Sequence, residues 1–212
     1  MKYQSKPLFK TAMIVAKKAC EDKLLQIYFV GLRILQEAIN PPVKGKDVTL
    51  ADLNRALKPF ITLLINKISE LNYKARDLSL NALTALFKTK GPDFNMLIIA
   101  LLDFPENSQI EKVAWRILVA RIEIVKSLIT NNGYNKDQWN WMEVCDKLVF
   151  PCVAHPSPDV RYAAVELVAN MYKIIGEEVK TEASKIQLKP KTKEMLMEKL
   201  QPKQAEPKVP KS

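Results

Sequence analysis

The sequence predicts an all-α protein, an α-solenoid of about five HEAT-like helix hairpins. The clearest predicted helix is the segment HPSPDVRYAAVELVANMYKIIG, residues 155–176. Ser157 is a favourable N-cap, Pro158 suits the first helical position because that N–H has no helical partner, and Gly176 is a favourable stop. Between them, apolar residues recur at three- and four-residue steps. They form a stripe that must pack against another helix.

Repetition of this segment is the second observation. Similar segments open at the capping residues Asp22, Asn72 and Ser108, and the residue four positions further on is polar or basic in all four. The four caps are roughly 36 to 50 residues apart, which brackets the period of about 40–47 residues in HEAT and armadillo repeats. This pattern predicts stacked helix pairs.

Composition is the third observation. The 212 residues are 48% hydrophobic and include only five glycines, and no alternating apolar segments bounded by turn pairs occur. These features argue against a β protein. The longest apolar runs are shorter than the ~20 residues that span a bilayer, and the N-terminus lacks the apolar core of a signal peptide. We expect one domain at 1–200 and a disordered Pro- and Lys-rich tail at 201–212.

The first two hairpins follow from caps and prolines. Ser5 can cap a helix that ends at Cys20, and Pro41 with Pro42 must end the helix that opens at Asp22. The second hairpin opens at Thr49, whose spacing to Asp52 matches a capping box. Its first helix is expected to bend at Pro59, and its second helix runs from Asn72 to Gly91.

The third hairpin combines a short helix with a long one. The short helix follows Gly91 and continues to about Asp103. Ser108 and Glu111 match a second capping box, so the long helix is expected to open at Ser108 and to stop at Gly133.

The last two hairpins complete the array. Asn135 and Gln138 are expected to cap a helix that Pro151 bends or ends, and the helix of residues 157–176 is its partner. In the weaker fifth hairpin, Pro190 is expected to break a helix that follows Gly176, and Thr192 to cap the last helix.

Motifs for catalysis or cofactor binding do not occur in the sequence. There is no Gly-rich phosphate loop and no cluster of metal-ligand type, so we expect no enzyme and no cofactor or metal. The three cysteines, Cys20, Cys145 and Cys152, are expected to be buried reduced thiols. His155 is expected to be an exposed turn residue. The tryptophans Trp115, Trp139 and Trp141 are expected to pack in the core.

Basic residues near the predicted turns are the best candidates for binding. The net charge of +10 suits an acidic partner, which could be nucleic acid, an anionic membrane surface or an acidic protein. The turns within the hairpins should fall on one edge of the stack and form a long, rigid surface. Lys23, Lys74, Arg76, Arg161, Lys185 and Lys189 lie near this edge. For Arg76 and Arg161, an alternative role is a bridge to an acid in the next repeat.

Three stretches in order resemble TOG domains: residues 72–76 (NYKAR), residues 159–161 (DVR) and residues 186–189 (IQLK). The resemblance covers roughly residues 7–200. It implies a HEAT-type array that binds αβ-tubulin at microtubule ends through its intra-repeat turns, as a monomer, with no nucleic acid and no membrane. Residues 5–40 are similar to the TOG domain of ciliary-tip centrosomal proteins. That similarity implies a location in the cytoplasm and cytoskeleton, at the centrosome or centriole and the cilium tip.

The resemblance also implies the contact residues. They are Lys23, Leu24 and Leu25 in the first turn, Tyr73, Lys74 and Arg76 in the second, Gln109 in the third, Pro158 and Arg161 in the fourth, and Lys189 in the fifth. Residues in three of the turns depart from the family pattern. Leu24 and Leu25 stand where a Trp is common, Gln109 where a Lys is common, and Pro158 where a basic residue is common.

Two other functions are open at this point. One is a generic helical scaffold that binds another protein. The other is a HEAT-like DNA glycosylase, which would use a basic groove and tryptophans such as Trp115 and Trp139 to hold an extruded base.

Overall fold

The computed structural model describes residues 5–39, 47–88, 93–104, 109–133 and 140–200, which form helices and turns and no β-strand. The helices are α1 (Ser5–Cys20), α2 (Leu25–Ile39), α3 (Leu50–Ile68), α4 (Tyr73–Lys88), α5 (Phe94–Leu102), α6 (Trp115–Asn132), α7 (Trp141–Val144), α8 (Phe150–Val153), α9 (Pro158–Ile175), α10 (Glu177–Ser184) and α11 (Pro190–Lys199). A 3₁₀ turn, Ile110–Lys112, precedes α6, and a π-helical turn, Cys145–Val149, joins α7 to α8. The predicted tail at 201–212 lies outside the described residues.

The helices form successive pairs that stack side by side. Each second helix packs on the second helix of the next pair, in the order α2, α4, α6 and α9, and α10 and α11 both pack on α9. First helices also pack on each other, α1 on α3 and α3 on α5. The prediction of an all-α solenoid of about five helix pairs is therefore confirmed.

Several predicted helix ends are confirmed by their hydrogen bonds. Thr49 Oγ1 accepts from the Asp52 N–H at 3.2 Å, and Asp52 Oδ2 accepts from the Thr49 N–H at 3.2 Å, so the capping box is complete. Asn72 Oδ1 accepts from the Ala75 N–H at 3.1 Å. Gly133 and Gly176 end α6 and α9 with φ of 71° and 98°, the left-handed region that favours glycine.

Two predicted helix starts are too early. Helix α6 begins at Trp115 rather than at Ser108, because the chain first forms the 3₁₀ turn and then extends through Val113 and Ala114. Helix α2 begins at Leu25 rather than at Asp22, whose carboxylate accepts the Leu24 N–H at 2.7 Å and closes a turn. Asp22 therefore bonds within the turn and does not cap the helix. Ser108 lies outside the described residues.

Two other caps also differ from the prediction. Ser157 occupies the N-cap of α9, but its hydroxyl makes no capping bond. Pro190 begins α11 instead of breaking a helix, because its ring suits the first helical position. Thr192 then falls inside the helix, where it is buried, and is not the cap.

Pro151 is tolerated inside the fourth pair by a change of helical register. It has no N–H, so the ladder cannot continue through it unchanged. The N–H of the preceding residue, Phe150, bonds to the Cys145 carbonyl five residues back, which is the π-helical spacing. The predicted caps Asn135 and Gln138 lie outside the described residues. Helix α7 is capped by Asn140, whose Oδ1 accepts from the Met142 N–H at 3.1 Å.

One apolar core runs through all the pairs. Among the buried polar residues, Ser79 is fully buried; it donates to the Ala75 carbonyl at 2.5 Å and therefore accepts from the Tyr28 hydroxyl across α2 and α4. The three cysteines are buried and free, as expected, and burial raises the pKa of Cys20 and Cys152 to about 12.

None of the helices in the described ranges is both long and apolar enough to span a bilayer.

Candidate partner-binding edge

The loops inside the five helix pairs form a candidate surface, which we call the turn edge. It comprises residues 21–24, 69–72, 103–104, 109–114, 154–157 and 185–189 with the first turn of each following helix. Neighbouring loops are in contact in several places. The second and third loops line one groove, and the 3₁₀ turn of the third packs against α8, which leads into the fourth. The edge is therefore continuous from the second loop to the fourth.

The first loop presents charge and apolar surface together. Lys23 is exposed, and the Leu24 side chain is 60% exposed. Leu25 is half-buried and packs against the core, so it offers less surface to a partner than the sequence led us to expect. Of the two leucines that stand where a Trp is common, only Leu24 is largely exposed.

The second loop carries the most exposed side chains of the edge. Leu71 and Tyr73 are 79% and 75% exposed. The Lys74 ammonium lies 5.4 Å from the centre of the Phe29 ring, a cation–π contact that ties this loop to the first helix pair. Arg76 is half-buried, and its nearest acid is its own neighbour Asp77, at 3.8 Å from Nε. Within the described residues, Arg76 therefore does not form the suggested bridge to an acid in the next repeat.

A groove of about 250 Å³ separates the second and third loops. Its walls include Leu71 and Arg76 on one side and Trp115, Arg116 and Glu123 on the other. The Arg116 guanidinium stacks 4.6 Å from the centre of the Trp115 ring. The groove therefore combines aromatic and aliphatic surface with charges of both signs, the composition typical of interface anchors.

The third loop is fixed from below by Arg121. This buried side chain donates to the Leu101 carbonyl and, at 2.8 Å, to the Asp103 carbonyl, and it stacks 4.2 Å from the centre of the Phe104 ring. Burial lowers the pKa of the guanidinium. At the surface, Gln109 is exposed and begins the 3₁₀ turn. Arg121 thus holds the chain where it leaves α5 and enters the third loop.

The fourth loop is closed by Arg161. Its Nη1 donates to the carbonyl oxygens of His155 at 2.9 Å and Pro156 at 2.6 Å, so the guanidinium bonds to its own loop; it pairs with no acid among the residues that the structure describes. His155 is 4% exposed, which contradicts the expectation of an exposed turn residue. Its Nδ1 accepts from the Ser157 N–H at 3.1 Å. Pro158 is exposed at the start of α9.

Cations near the fifth loop differ in their pairing. Lys189 is exposed and immediately precedes α11. Lys185 pairs with Glu182 at 2.6 Å. Among the described residues, Lys23, Lys74, Lys112 and Lys189 of the edge make no ion pair. Their charges are therefore available to an acidic surface.

Several exposed residues of the edge were missed by the sequence reasoning. Leu71 and Tyr162, 79% and 59% exposed, flank the second and fourth loops. Trp115 is 40% exposed, and the prediction that it packs in the core is wrong for this tryptophan. It is the first residue of α6, so the late helix start moves it from the stripe to the loop. Trp141 is buried as expected, and Trp139 lies outside the described residues.

Metal chemistry receives no support from the part of the chain that the structure describes. No group of three His, Cys, Asp or Glu side chains there could hold a metal ion. The turn edge instead presents lysines, arginines and exposed apolar side chains.

Two solved structures have a similar architecture. The structure of the TOG domain of human Cep104 superposes with a TM-score of 0.70 at 14% identity, covering 92% of this chain and 73% of that one. A second structure of the CEP104 TOG domain gives 0.68 at 13% identity, covering 94% and 77%. No protein-family model and no curated protein matches the sequence significantly. At these identities the likeness shows the fold, so the chain has the fold of a TOG domain.

Proposed function

From this fold, we propose that the chain is a non-enzymatic tubulin-binding domain that docks on αβ-tubulin through the turn edge. It acts at microtubule ends as a monomer, without a cofactor, nucleic acid or membrane. Its proposed contact residues are Lys23, Leu24, Leu25, Tyr73, Lys74, Arg76, Gln109, Pro158, Arg161 and Lys189. The exposed residues Leu71 and Trp115 join this set.

The observation that carries the proposal is the composition of successive loops on this fold. Exposed apolar side chains at Leu24, Leu71, Tyr73 and Trp115 alternate with lysines that make no ion pair with a described residue. Large side chains of this kind supply most of the binding energy in protein interfaces. The surrounding lysines steer an acidic partner to the surface and orient it.

The electrostatic part of the proposal suits the overall charge. Tubulin has an acidic surface, and the chain carries a net charge of +10. Exposed charges are screened by salt beyond a Debye length of about 8 Å at physiological ionic strength. Binding to tubulin is therefore expected to weaken as salt is raised, while the apolar contribution remains.

Gel filtration with purified αβ-tubulin tests the proposal. The wild-type chain is expected to co-elute with tubulin, and the double variant Lys74→Glu with Lys189→Glu is expected to elute separately. The matched control is Lys58→Glu with Lys173→Glu, which makes the same charge change at exposed sites in the middle of α3 and the last turn of α9. The control is expected to co-elute like the wild type.

Two results would contradict the proposal at different levels. If the wild-type chain does not associate with tubulin at tens of micromolar, the function itself is wrong. If both double variants co-elute equally well, tubulin binding stands but the turn edge is not the surface that makes it.

The cellular part of the proposal is a location at the centrosome and the cilium tip. It is tested with a fluorescent fusion of the chain in ciliated cells. The fusion is expected at centrioles and ciliary tips, and the Lys74→Glu with Lys189→Glu variant is expected to lose any enrichment that depends on tubulin.

A further inference from the structure

A second surface lies between the first helices of the first two pairs, before these helices reach the turn edge. Helices α1 and α3 enclose a groove of about 290 Å³. Its floor is formed by Phe9, Met13 and Phe60, which are at most 5% exposed. We call it the α1–α3 groove. Its walls are apolar, so water in it has few hydrogen-bonding partners.

The α1–α3 groove is separate from the turn edge. The two helices run parallel, since Lys6 near the start of α1 pairs with Asp52 near the start of α3 at 2.7 Å. Both helices therefore reach the turn edge at their C-terminal ends. Ile14 in the groove precedes Cys20 by six residues, which is about 9 Å along the helix axis at a rise of about 1.5 Å per residue. A ligand in the groove would leave the loops accessible.

Exposed apolar surface shows that the described part of the chain does not fill the groove. Ile14 on its wall is 59% exposed, although it stands beside fully buried core residues. Pro59, on the opposite wall, is also exposed and brings an apolar ring without an N–H donor. Both side chains can pack against an apolar ligand that enters between α1 and α3.

The rim of the groove is basic. Lys10, Lys17 and Arg55 surround it. Lys17 pairs with Glu21 at 3.4 Å, whereas Lys10 and Arg55 make no ion pair with any described residue. The acid at the rim, Asp52, is neutralised by Lys6. The rim thus offers uncompensated positive charge to an occupant.

We propose that the α1–α3 groove binds an amphipathic helical segment of a partner protein, with apolar side chains on the floor and acidic side chains against Lys10 and Arg55. A groove between two parallel helices accepts the ridge of a third helix, and such segments bind through anchors three and four residues apart. The charge of the rim selects the acidic partner.

Charge also argues against two other occupants. Residues 201–212 carry three lysines and one glutamate, so this tail has the same sign of charge as the rim. In a symmetric dimer through the groove, the basic rim would face itself. An acidic helix from another protein is the occupant that complements both the floor and the rim.

A designed peptide tests this proposal with the full chain. The probe is a fluorescent 18-residue helical peptide with leucines at three- and four-residue steps and glutamates elsewhere, and its counterpart has lysines in place of the glutamates. Fluorescence anisotropy is expected to show at least about tenfold tighter binding of the acidic peptide. Ile14→Glu is expected to weaken it about tenfold or more, because an apolar contact is replaced by a like charge.

Neighbouring substitutions provide matched controls. Val15→Glu makes the same change at the next exposed residue of α1, which does not line the groove, and is expected to leave binding unchanged. Arg55→Glu is expected to weaken binding and Lys18→Glu is not. Lys74→Glu on the turn edge is also expected to have no effect, so the result does not depend on the proposed tubulin contact.

Several outcomes would overturn the proposal. Equal losses for Ile14→Glu and Val15→Glu, or equal affinity for the two peptides, would mean that no groove-specific acidic helix is bound. Tighter peptide binding by a chain that ends at Leu200 would identify the tail as the occupant. A concentration-dependent mass in sedimentation that Ile14→Glu abolishes would identify a second copy of the chain.

Discussion

Arg161 donates a hydrogen bond from Nη1 to the carbonyl oxygen of Pro156, at 2.6 Å, and so closes the fourth loop of the turn edge. The same atom donates to the His155 carbonyl at 2.9 Å. Both carbonyls belong to the loop and not to a helix, so helical N–H groups do not bond to them. The Arg161 guanidinium supplies the missing donors. Arg161 is therefore a structural part of the loop as well as a candidate contact residue.

Arg161→Met is expected to lower the free energy of unfolding by about 1–3 kcal/mol, because two hydrogen bonds from a charged donor are lost. Methionine keeps an unbranched side chain, so little packing is lost. Urea denaturation monitored by circular dichroism measures this change. Arg33→Met, an exposed arginine of α2 with no ion pair to a described residue, is the control and should change the free energy by less than about 0.5 kcal/mol. Equal effects would mean that the Arg161 bonds do not stabilise the loop.

A second prediction contrasts the caps of α3 and α9. Thr49 makes the reciprocal bonds of a capping box, whereas the Ser157 hydroxyl makes no capping bond. Thr49→Ala should therefore lower the free energy of unfolding by about 1 kcal/mol, and Ser157→Ala by less than about 0.5 kcal/mol. Thermal and urea denaturation of the two variants measure the difference. A larger loss at Ser157 would show that its hydroxyl caps α9 in solution.

These two caps illustrate what local sequence can and cannot predict. Capping residues and helical periodicity depend on neighbouring residues only, so the positions of Thr49, Asn72, Gly133 and Gly176 at helix ends were predicted correctly. Whether the side chain then makes its bond depends on the rest of the loop. In the loop at Ser157, the Ser157 N–H donates to His155 Nδ1, and the Arg161 side chain donates to the His155 carbonyl. No local pattern in the sequence indicates these two bonds.

The third loop is where tertiary structure overrides a local pattern. Ser108 and Glu111 have the spacing of a capping box, yet α6 begins seven residues later. Arg121 bonds to the Leu101 and Asp103 carbonyls and fixes the chain as it leaves α5. That contact spans some twenty residues and could not be predicted from spacing. Trp115, the first residue of α6, is 40% exposed.

The candidate site was only partly accessible to sequence reasoning. The second loop was identified from its basic residues, and Lys74 is exposed there. The apolar neighbours Leu71 and Trp115 were missed, because exposure of an apolar residue depends on loop geometry and not on its spacing. The tubulin contacts themselves stay a prediction.

A third prediction separates two tryptophans. Trp115 is 40% exposed on the turn edge, and Trp141 is 5% exposed in the core. Trp115→Ala should weaken co-elution with tubulin while changing the free energy of unfolding by less than about 1 kcal/mol. Trp141→Ala should lower the free energy of unfolding by about 3–5 kcal/mol, since it leaves a cavity. Tubulin binding by the Trp115→Ala chain at wild-type affinity would remove this side chain from the proposed surface.

A fourth prediction concerns the close packing of α1 against α2. A Cβ added at Gly31 would lie 2.7 Å from the Cys20 backbone nitrogen and 2.9 Å from the Ala19 carbonyl carbon. These are backbone atoms and cannot rotate away, so Gly31→Ala should lower the free energy of unfolding by about 1–3 kcal/mol despite the better helix propensity of alanine. Urea denaturation measures it. Gln36→Ala, at an exposed site of the same helix, should be near neutral.

The last prediction concerns pH and rests on His155, the one histidine of the chain. Burial lowers its pKa from the ordinary value near 6.5; Glu111 opposes this shift and Arg161 adds to it. The folded chain therefore holds His155 neutral at a pH where the unfolded chain protonates it. Its contribution is fully present above the unfolded pKa near 6.5 and is lost as the pH falls towards the lower folded value.

The free energy of unfolding is therefore expected to decrease below about pH 6.5, with a slope of at most ~1.4 kcal/mol per pH unit because one proton is involved. Urea denaturation between pH 7.5 and pH 5 measures the slope. The described carboxylates with lowered pKa, Asp52, Glu166 and Glu177, lose their contribution only at lower pH, so they add little to the slope in this window. In His155→Asn, whose amide oxygen can still accept the Ser157 N–H, the slope should vanish. An unchanged slope in that variant would mean that another group titrates and that His155 is not held neutral by burial.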